Sequence, residues 1–129
     1  MKLNYDKAQL EAVVDKVAER TMNMDMTWDW PCGVAYYGIT EAYEATGNKK
    51  YLDMVKERVD ELISLGLPDF TVNTCAMGHV LLTLYKETGD ETYKKIIDDK
   101  LDYLTNHALR FGDHVLQHTV SANNDFPEQ

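Results

Sequence analysis

The sequence predicts an all-α protein, and an internal repeat with recognisable turn residues supports this prediction. The segment YEATGNKKYLDMVKERVDELI (Tyr43–Ile63) returns 42 residues later as YKETGDETYKKIIDDKLDYLT (Tyr85–Thr105). In both copies the apolar side chains recur at spacings of about three and four residues, which is typical of one helix face and not of a strand. A period of about 40 residues that holds two helices indicates stacked αα-hairpins.

The turn between the two helices of each hairpin is readable from three residues. Gly47 and Gly89 occupy the same position of the repeat, and glycine commonly ends a helix because it enters the left-handed conformation without steric penalty. Asn48 and Asp90 follow directly, and their side chains can accept hydrogen bonds from the first amides of the next helix. The tripeptides TGN and TGD are therefore predicted to be tight reversals.

The other elements follow from apolar period and from breaker residues. A helix before the repeat carries Leu10, Val13 and Val17 on one face, and the loop GLPDFTVN separates the third helix from the fourth. After Arg110 the helical period ends, and His114–Val120 is predicted to form a short strand. We expect residues 1–129 to form a single domain. The five predicted helices are Asp6–Arg20, Cys32–Thr46, Asn48–Leu65, Cys75–Thr88 and Asp90–His107.

Composition and charge argue against several classes of protein. The net charge is −9 and no cluster of Lys or Arg is present, so we expect neither nucleic acid nor an anionic membrane as a partner. No run of about 18 apolar residues predicts a membrane span, and the N-terminus lacks the apolar core of a signal peptide, which favours a cytoplasmic location. Cys32 and Cys75 are predicted to be small buried residues, and no metal-ligand spacing or phosphate loop is visible, so we expect no cofactor.

The hairpin repeat suits two architectures, an open solenoid or a closed ring of six hairpins, the (α/α)6 barrel. The connections between hairpins favour the ring because they are long and rich in aromatic and polar residues. Met24–Gly33 (MDMTWDWPCG) holds two tryptophans and two aspartates, and Leu67–His79 holds Asn73 and Thr74. In a ring these connections lie at one end, where their side chains converge on one pocket.

Three stretches resemble a known family. WPCGVAYYGITEAYEATGNKKYLD, MGHVLLTLYKETGDETY and HVLQHTV…FPEQ are similar to the N-terminal third of unsaturated glucuronyl and rhamnogalacturonyl hydrolases, glycoside hydrolase families 88 and 105. The resemblance implies a partial (α/α)6 barrel, with about five of its twelve helices. It also implies a substrate: a disaccharide or short oligosaccharide that ends in a 4,5-unsaturated uronic acid. In this chemistry an aspartic acid protonates the C4–C5 double bond, water adds at C5, and the hydrated sugar opens and releases its neighbour.

The resemblance places the catalytic aspartate of the family just beyond Gln129, so the catalytic residue is unknown and the chain looks truncated before it. We therefore expect the 129-residue chain alone to be inactive. An incomplete ring would expose apolar helix faces, which predicts self-association. The alternative is a non-catalytic helical-repeat module for interaction or self-assembly. A different (α/α)6 enzyme, such as an epimerase or lyase, is a third possibility.

The resemblance also suggests substrate-binding residues, namely Trp30, Asn73, Thr74 and His118. The ring of Trp30 can stack on the C–H face of a sugar, while burial between hairpins is the competing interpretation for it and for Trp28. Many family members carry an aspartate at the position of Asn73 or Thr74. Asn73 can bind a hydroxyl or the uronate but cannot act as a base, and it can instead cap helix four. His118 can bind substrate or orient the catalytic acid.

Overall fold

The computed structural model describes residues 6–118, and five α-helices make up most of this part of the chain. A short 3-10 helix (Thr74–Met77) precedes the fourth α-helix, and a π-helical turn (Tyr103–His107) extends the fifth. Strands β1 (Arg110–Phe111) and β2 (Val115–Leu116) form an antiparallel hairpin. The all-α prediction is therefore confirmed. The α-helices are α1 (Lys7–Met22), α2 (Trp30–Thr46), α3 (Lys49–Ser64), α4 (Gly78–Thr88) and α5 (Glu91–Asp102).

The two reversals have the predicted structure. Gly47 and Gly89 are left-handed, with φ of 68° and 70°. The side chain of Asn48 accepts a hydrogen bond from the amide two residues later, and the side chain of Asp90 does the same at the start of α5. The hairpins α2–α3 and α4–α5 are thus equivalent units, as the repeat predicts.

Several boundaries differ from the prediction. Helix α2 begins at Trp30 and not at Cys32, because the Asp29 side chain caps the Trp30 amide and Pro31 fits the first turn. The predicted start of helix four at Cys75 is a 3-10 turn instead, and the α-helix itself begins at Gly78. Of the strand predicted at His114–Val120 the structure describes residues 114–118, and within these Val115–Leu116 is a strand. Residues 119 and 120 and the FPEQ segment lie outside the described residues.

The core lies between the apolar faces of the helices. The repeat-equivalent tyrosines Tyr51 and Tyr93 are buried in it, and their hydroxyls donate to the carboxylates of Asp15 and Asp60. Because successive helices are antiparallel, the end of α1, the start of α2, the end of α3 and the start of α4 lie at one end of the bundle. This end carries Trp30, Asn73 and Thr74, three of the four residues that the sequence analysis selected.

Candidate functional site

Two connections meet at this end of the bundle and define the candidate site. The first loop (residues 23–29) joins α1 to α2, and the second loop (residues 65–77) joins α3 to α4 and includes the 3-10 helix. The indole Nε1 of Trp28 donates a hydrogen bond to the Thr74 carbonyl oxygen at 3.1 Å. This bond joins the two loops directly, so the predicted convergence of the connections is present in the structure.

The Thr74 carbonyl oxygen accepts a second hydrogen bond, from the Nζ of Lys100 at 3.0 Å. Lys100 lies on α5, and its side chain contacts both loops. The Nζ atom is 5.2 Å from the ring centroid of Trp28 and 4.9 Å from that of Phe70, which are cation–π distances. Burial lowers the pKa of the Lys100 ammonium. Three chain segments therefore meet at one carbonyl oxygen.

The Thr74 side chain serves the second loop itself. Its hydroxyl oxygen accepts from the Thr71 amide at 2.9 Å, and the Thr71 hydroxyl in turn accepts from the Thr74 amide at 3.1 Å. Thr74 is buried. The hydroxyl is thus engaged in holding the turn. This placement does not favour the predicted contact between Thr74 and a substrate, which stays a prediction.

Asn73 is half-buried at the start of the 3-10 helix, and its side chain makes no capping hydrogen bond there. The competing interpretation, that Asn73 caps helix four, is therefore not what the structure has. Asn73 directly precedes Thr74, whose carbonyl oxygen joins the two loops, and it therefore lies close to their junction. A role in binding stays a prediction for this residue.

The two tryptophans differ in burial. Trp28 is 5% exposed and anchors the first loop, whereas Trp30 is 52% exposed at the first position of α2. Further along the same helix the ring of Tyr37 lies 5.3 Å from the ring of His79 on α4. The competing interpretation of a tryptophan buried between hairpins therefore holds for Trp28, and Trp30 is the one with a ring open to a ligand.

An open cleft of about 420 Å³ lies between the loops. Its walls include residues 27–29 of the first loop and residues 65–68 of the second, with Thr74 at its base. One wall ends at Asp29, the residue before the exposed Trp30. The cleft combines apolar side chains with a carboxylate, which is a suitable lining for a small polar molecule with apolar faces.

His118 lies in a different place from this cleft. It is exposed and follows β2, in a hairpin that Arg110 fixes by donating to the carbonyl oxygens of His114 and Leu104 at 2.9 and 2.6 Å. The hydrogen bonds and ring contacts that join the two loops do not include His118. The described contacts thus join the segments of Trp30, Asn73 and Thr74, and His118 neither takes part in them nor lines the cleft.

Lys100 is the residue of this site that the sequence analysis missed. A signal was present, because Lys100 follows Tyr93 by seven residues and Ile97 by three and so belongs to the buried face of α5. A lysine on the apolar face of a helix calls for a specific partner. That partner is a backbone carbonyl, which no sequence pattern marks.

Metal-binding clusters and membrane-spanning helices are both absent from residues 6–118. No group of three or more His, Cys, Asp or Glu side chains there is arranged to hold a metal ion. In the same part of the chain, none of the helices has the length and apolar character needed to cross a membrane.

The fold places the chain among all-α proteins built as part of an (α/α)6 barrel. It superposes with a TM-score of 0.83 on a crystal structure from Klebsiella pneumoniae subsp. pneumoniae MGH 78578, described as that of a possible member of the GH105 family. The sequence identity is 20%, and the match covers 92% of this chain and 36% of that one. At this identity the likeness concerns the fold.

The sequence carries the family assignment. The profile of Glycosyl Hydrolase Family 88 matches residues 5–129, and the chain belongs to this family. It is 45% identical over 128 residues to the unsaturated rhamnogalacturonyl hydrolase YesR of Bacillus subtilis (strain 168). That alignment covers 98% of this chain and 37% of the relative. The resemblance predicted from the sequence is thus confirmed, and the chain spans little more than a third of both proteins.

Proposed function

We propose that the chain is the N-terminal part of a glycoside hydrolase that acts on 4,5-unsaturated uronyl oligosaccharides by hydration of the double bond. The observation that carries this proposal is the cleft between the joined loops, whose lining includes Asp29, the residue before the exposed Trp30, in a chain of Glycosyl Hydrolase Family 88. The 45% identity to an unsaturated rhamnogalacturonyl hydrolase supports the choice of substrate class. With it we propose that the protein takes part in the bacterial breakdown of sugars derived from polysaccharides, in the cytoplasm.

Each candidate residue has a task in this proposal. The Trp30 ring stacks on the C–H face of the sugar, and the Asn73 amide hydrogen-bonds a hydroxyl or the uronate carboxylate. Thr74 contributes through its backbone, since its hydroxyl is engaged within the second loop. His118 acts only if the hairpin β1–β2 closes on the bound sugar.

The chemical step needs an acid that delivers a proton to C4 while water adds at C5. We place this acid beyond Gln129, so the chain as it stands binds the sugar and leaves its double bond intact. In the proposal, residues 6–118 thus supply one wall of the sugar site.

A titration of the 129-residue chain with an unsaturated rhamnogalacturonyl disaccharide, measured by isothermal titration calorimetry, tests the proposal. Because an aromatic contact contributes about 0.5–1.5 kcal/mol, Trp30→Ala is expected to weaken binding about two- to twelvefold without lowering Tm. Leu82→Ala is the matched control, since Leu82 on α4 is also 52% exposed and lines neither the cleft nor the groove between α1 and α2. Absence of binding by the parent chain, or equal binding by Trp30→Ala, would contradict the proposal. The ultraviolet absorbance of the double bond is expected to stay constant.

The alternative function, a self-assembling module, is supported by a separate observation. An apolar groove of about 560 Å³ lies between α1 and α2. Its lining includes Val13, Val17 and Val34, each of which is 58–61% exposed. Covering such a surface favours association of two copies. Light scattering tests this alternative: we expect a dimer that Val17→Lys dissociates, and a monodisperse monomer at all concentrations would rule it out.

A further inference from the structure

Lys100 is a buried cation that the proposed sugar site does not use directly. It is 3% exposed, and no carboxylate among residues 6–118 lies within ion-pair distance of its ammonium. The ammonium donates to the Thr74 carbonyl oxygen and lies over the faces of the Trp28 and Phe70 rings, and the Cys75 thiol is near enough to interact with it electrostatically. Taking an ammonium out of water without a counter-ion is costly, so these contacts must offset a large penalty.

The contacts of this ammonium span three chain segments. Lys100 is on α5, Trp28 is in the first loop, and Phe70 and Thr74 are in the second loop. The Trp28 indole and the Lys100 ammonium donate to the same oxygen, at 3.1 and 3.0 Å. The cation also lies over the Trp28 ring. Removal of the ammonium would therefore break the bridge that joins Trp28 to the second loop through α5, and only the direct bond from the Trp28 indole to the Thr74 carbonyl oxygen would remain.

We propose that Lys100 is a positioning residue, which fixes the two loops against each other by sharing the Thr74 carbonyl oxygen with Trp28. The segments that carry Trp30 and Asn73 thereby keep one relative position. That this arrangement serves sugar binding rests on the function proposed above. The fixing of the loops does not depend on it.

Lys100 could matter only because its apolar stem fills space in the core, or because its ammonium positions the two loops. The two roles predict different effects of one substitution. Lys100→Met keeps the unbranched stem and removes the ammonium. Because a methionine avoids the cost of burying a charge, its global stability should equal or exceed that of the parent. The two loops should nevertheless open more easily, since the bond from the ammonium to the Thr74 carbonyl oxygen and both ring contacts of the ammonium are lost.

Hydrogen exchange of the full chain, measured by NMR under conditions where exchange reports opening equilibria, separates these roles. For Lys100→Met we expect the Trp28 indole proton and the Cys75 and Ala76 amides to exchange about tenfold or more faster. The Gly47 and Gly89 amides, which bond within the distant reversals, should be unchanged.

The matched control is Lys95→Met, which removes an exposed lysine from the same helix. It should leave exchange in both loops as in the parent. Exchange in Lys100→Met that equals the parent would overturn the proposal. A uniform increase accompanied by a fall in Tm would overturn it as well, because Lys100 would then support the fold generally.

The same variant also tests whether the position of the loops matters for sugar binding. If the parent binds the unsaturated disaccharide, Lys100→Met should bind it several-fold more weakly with an unchanged or higher Tm. If the parent does not bind it, the proposed function fails, and the exchange experiment still decides the positioning role by itself.

Discussion

The substitution Gly33→Ala tests how closely α2 approaches the second loop. A Cβ atom at Gly33 would lie 2.7 Å from the carbonyl carbon of Ala76, 2.9 Å from its Cβ and 3.0 Å from its oxygen. Two of these are backbone atoms of the 3-10 helix and the third is a Cβ fixed to that backbone, so they cannot turn away as the tip of a flexible side chain would. Overpacking of this kind costs about 1–3 kcal/mol, while alanine in place of glycine gains about 1 kcal/mol of helix propensity. We therefore expect the free energy of unfolding to fall by about 0–2 kcal/mol.

Gly38→Ala is the matched control on the same helix. No atom lies within 4 Å of a Cβ built at Gly38, so this variant should gain the propensity term alone and become more stable by about 1 kcal/mol. The propensity term largely cancels between the two variants. Their difference, about 1–3 kcal/mol, therefore measures the steric term itself.

Urea unfolding followed by circular dichroism gives this difference directly, at one low protein concentration because Gly38 lines the apolar groove between α1 and α2. In a thermal scan it corresponds to roughly 3–12 °C between the two midpoints. Equal stability of the two variants would refute the reasoning. The backbone of the second loop would then have room to retreat from α2, and the close approach would not fix its position.

Three further predictions concern buried groups and the start of α2. Burial raises the pKa of Tyr36 and Tyr93 to about 12, so between pH 10 and 12 the folded state holds protons that the unfolded state has lost. The contribution of these protons to the free energy of unfolding is complete below about pH 10 and is lost as the pH rises through 12. Tyr36→Phe should therefore lessen the fall in Tm over this pH range. Burial likewise raises the pKa of the Cys32 thiol to about 11, and we expect a disulfide reagent to label it only when urea opens the core. Asp29→Ala removes the cap of α2 and should cost about 1 kcal/mol in urea unfolding, whereas Asp29→Asn should retain most of the stability.

The fold was predictable because its signals are local. The reversals depend on Gly47 and Gly89, and a glycine after a helical period determines its own conformation within a few residues. The start of α2 was missed by two residues because Asp29, with Pro31 behind it, was not recognised as a cap. The start of α4 was missed for another reason, since a 3-10 turn and an α-helical turn have nearly the same apolar spacing.

The candidate site was predictable as a region but not in its individual roles. Antiparallel hairpins bring the connections to one end whatever their sequence, so Trp30 and Asn73 could be selected. The choice between Trp28 and Trp30 depends on the Thr74 carbonyl oxygen, which is 46 residues away from Trp28 in the chain. A backbone acceptor at that separation leaves no pattern in a single sequence. For the same reason Thr74 was predicted only as a substrate-binding residue, whereas its carbonyl makes the contacts between segments.

Lys100 shows that a sequence repeat predicts where a residue lies on its helix better than it predicts which groups surround its side chain. In the 42-residue repeat it corresponds to Arg58, so both hairpins place a cation on the second helix at the same turn. Arg58 forms ion pairs with Glu61 on its own helix and with Asp25 of the first loop, and its side chain is 24% exposed. No carboxylate among residues 6–118 pairs with Lys100, and Phe70, Trp28 and the Thr74 carbonyl oxygen lie against its ammonium instead. These partners come from the connections, which the repeat does not include. A cation that pairs with carboxylates in the first hairpin therefore becomes, in the second, the contact between two loops.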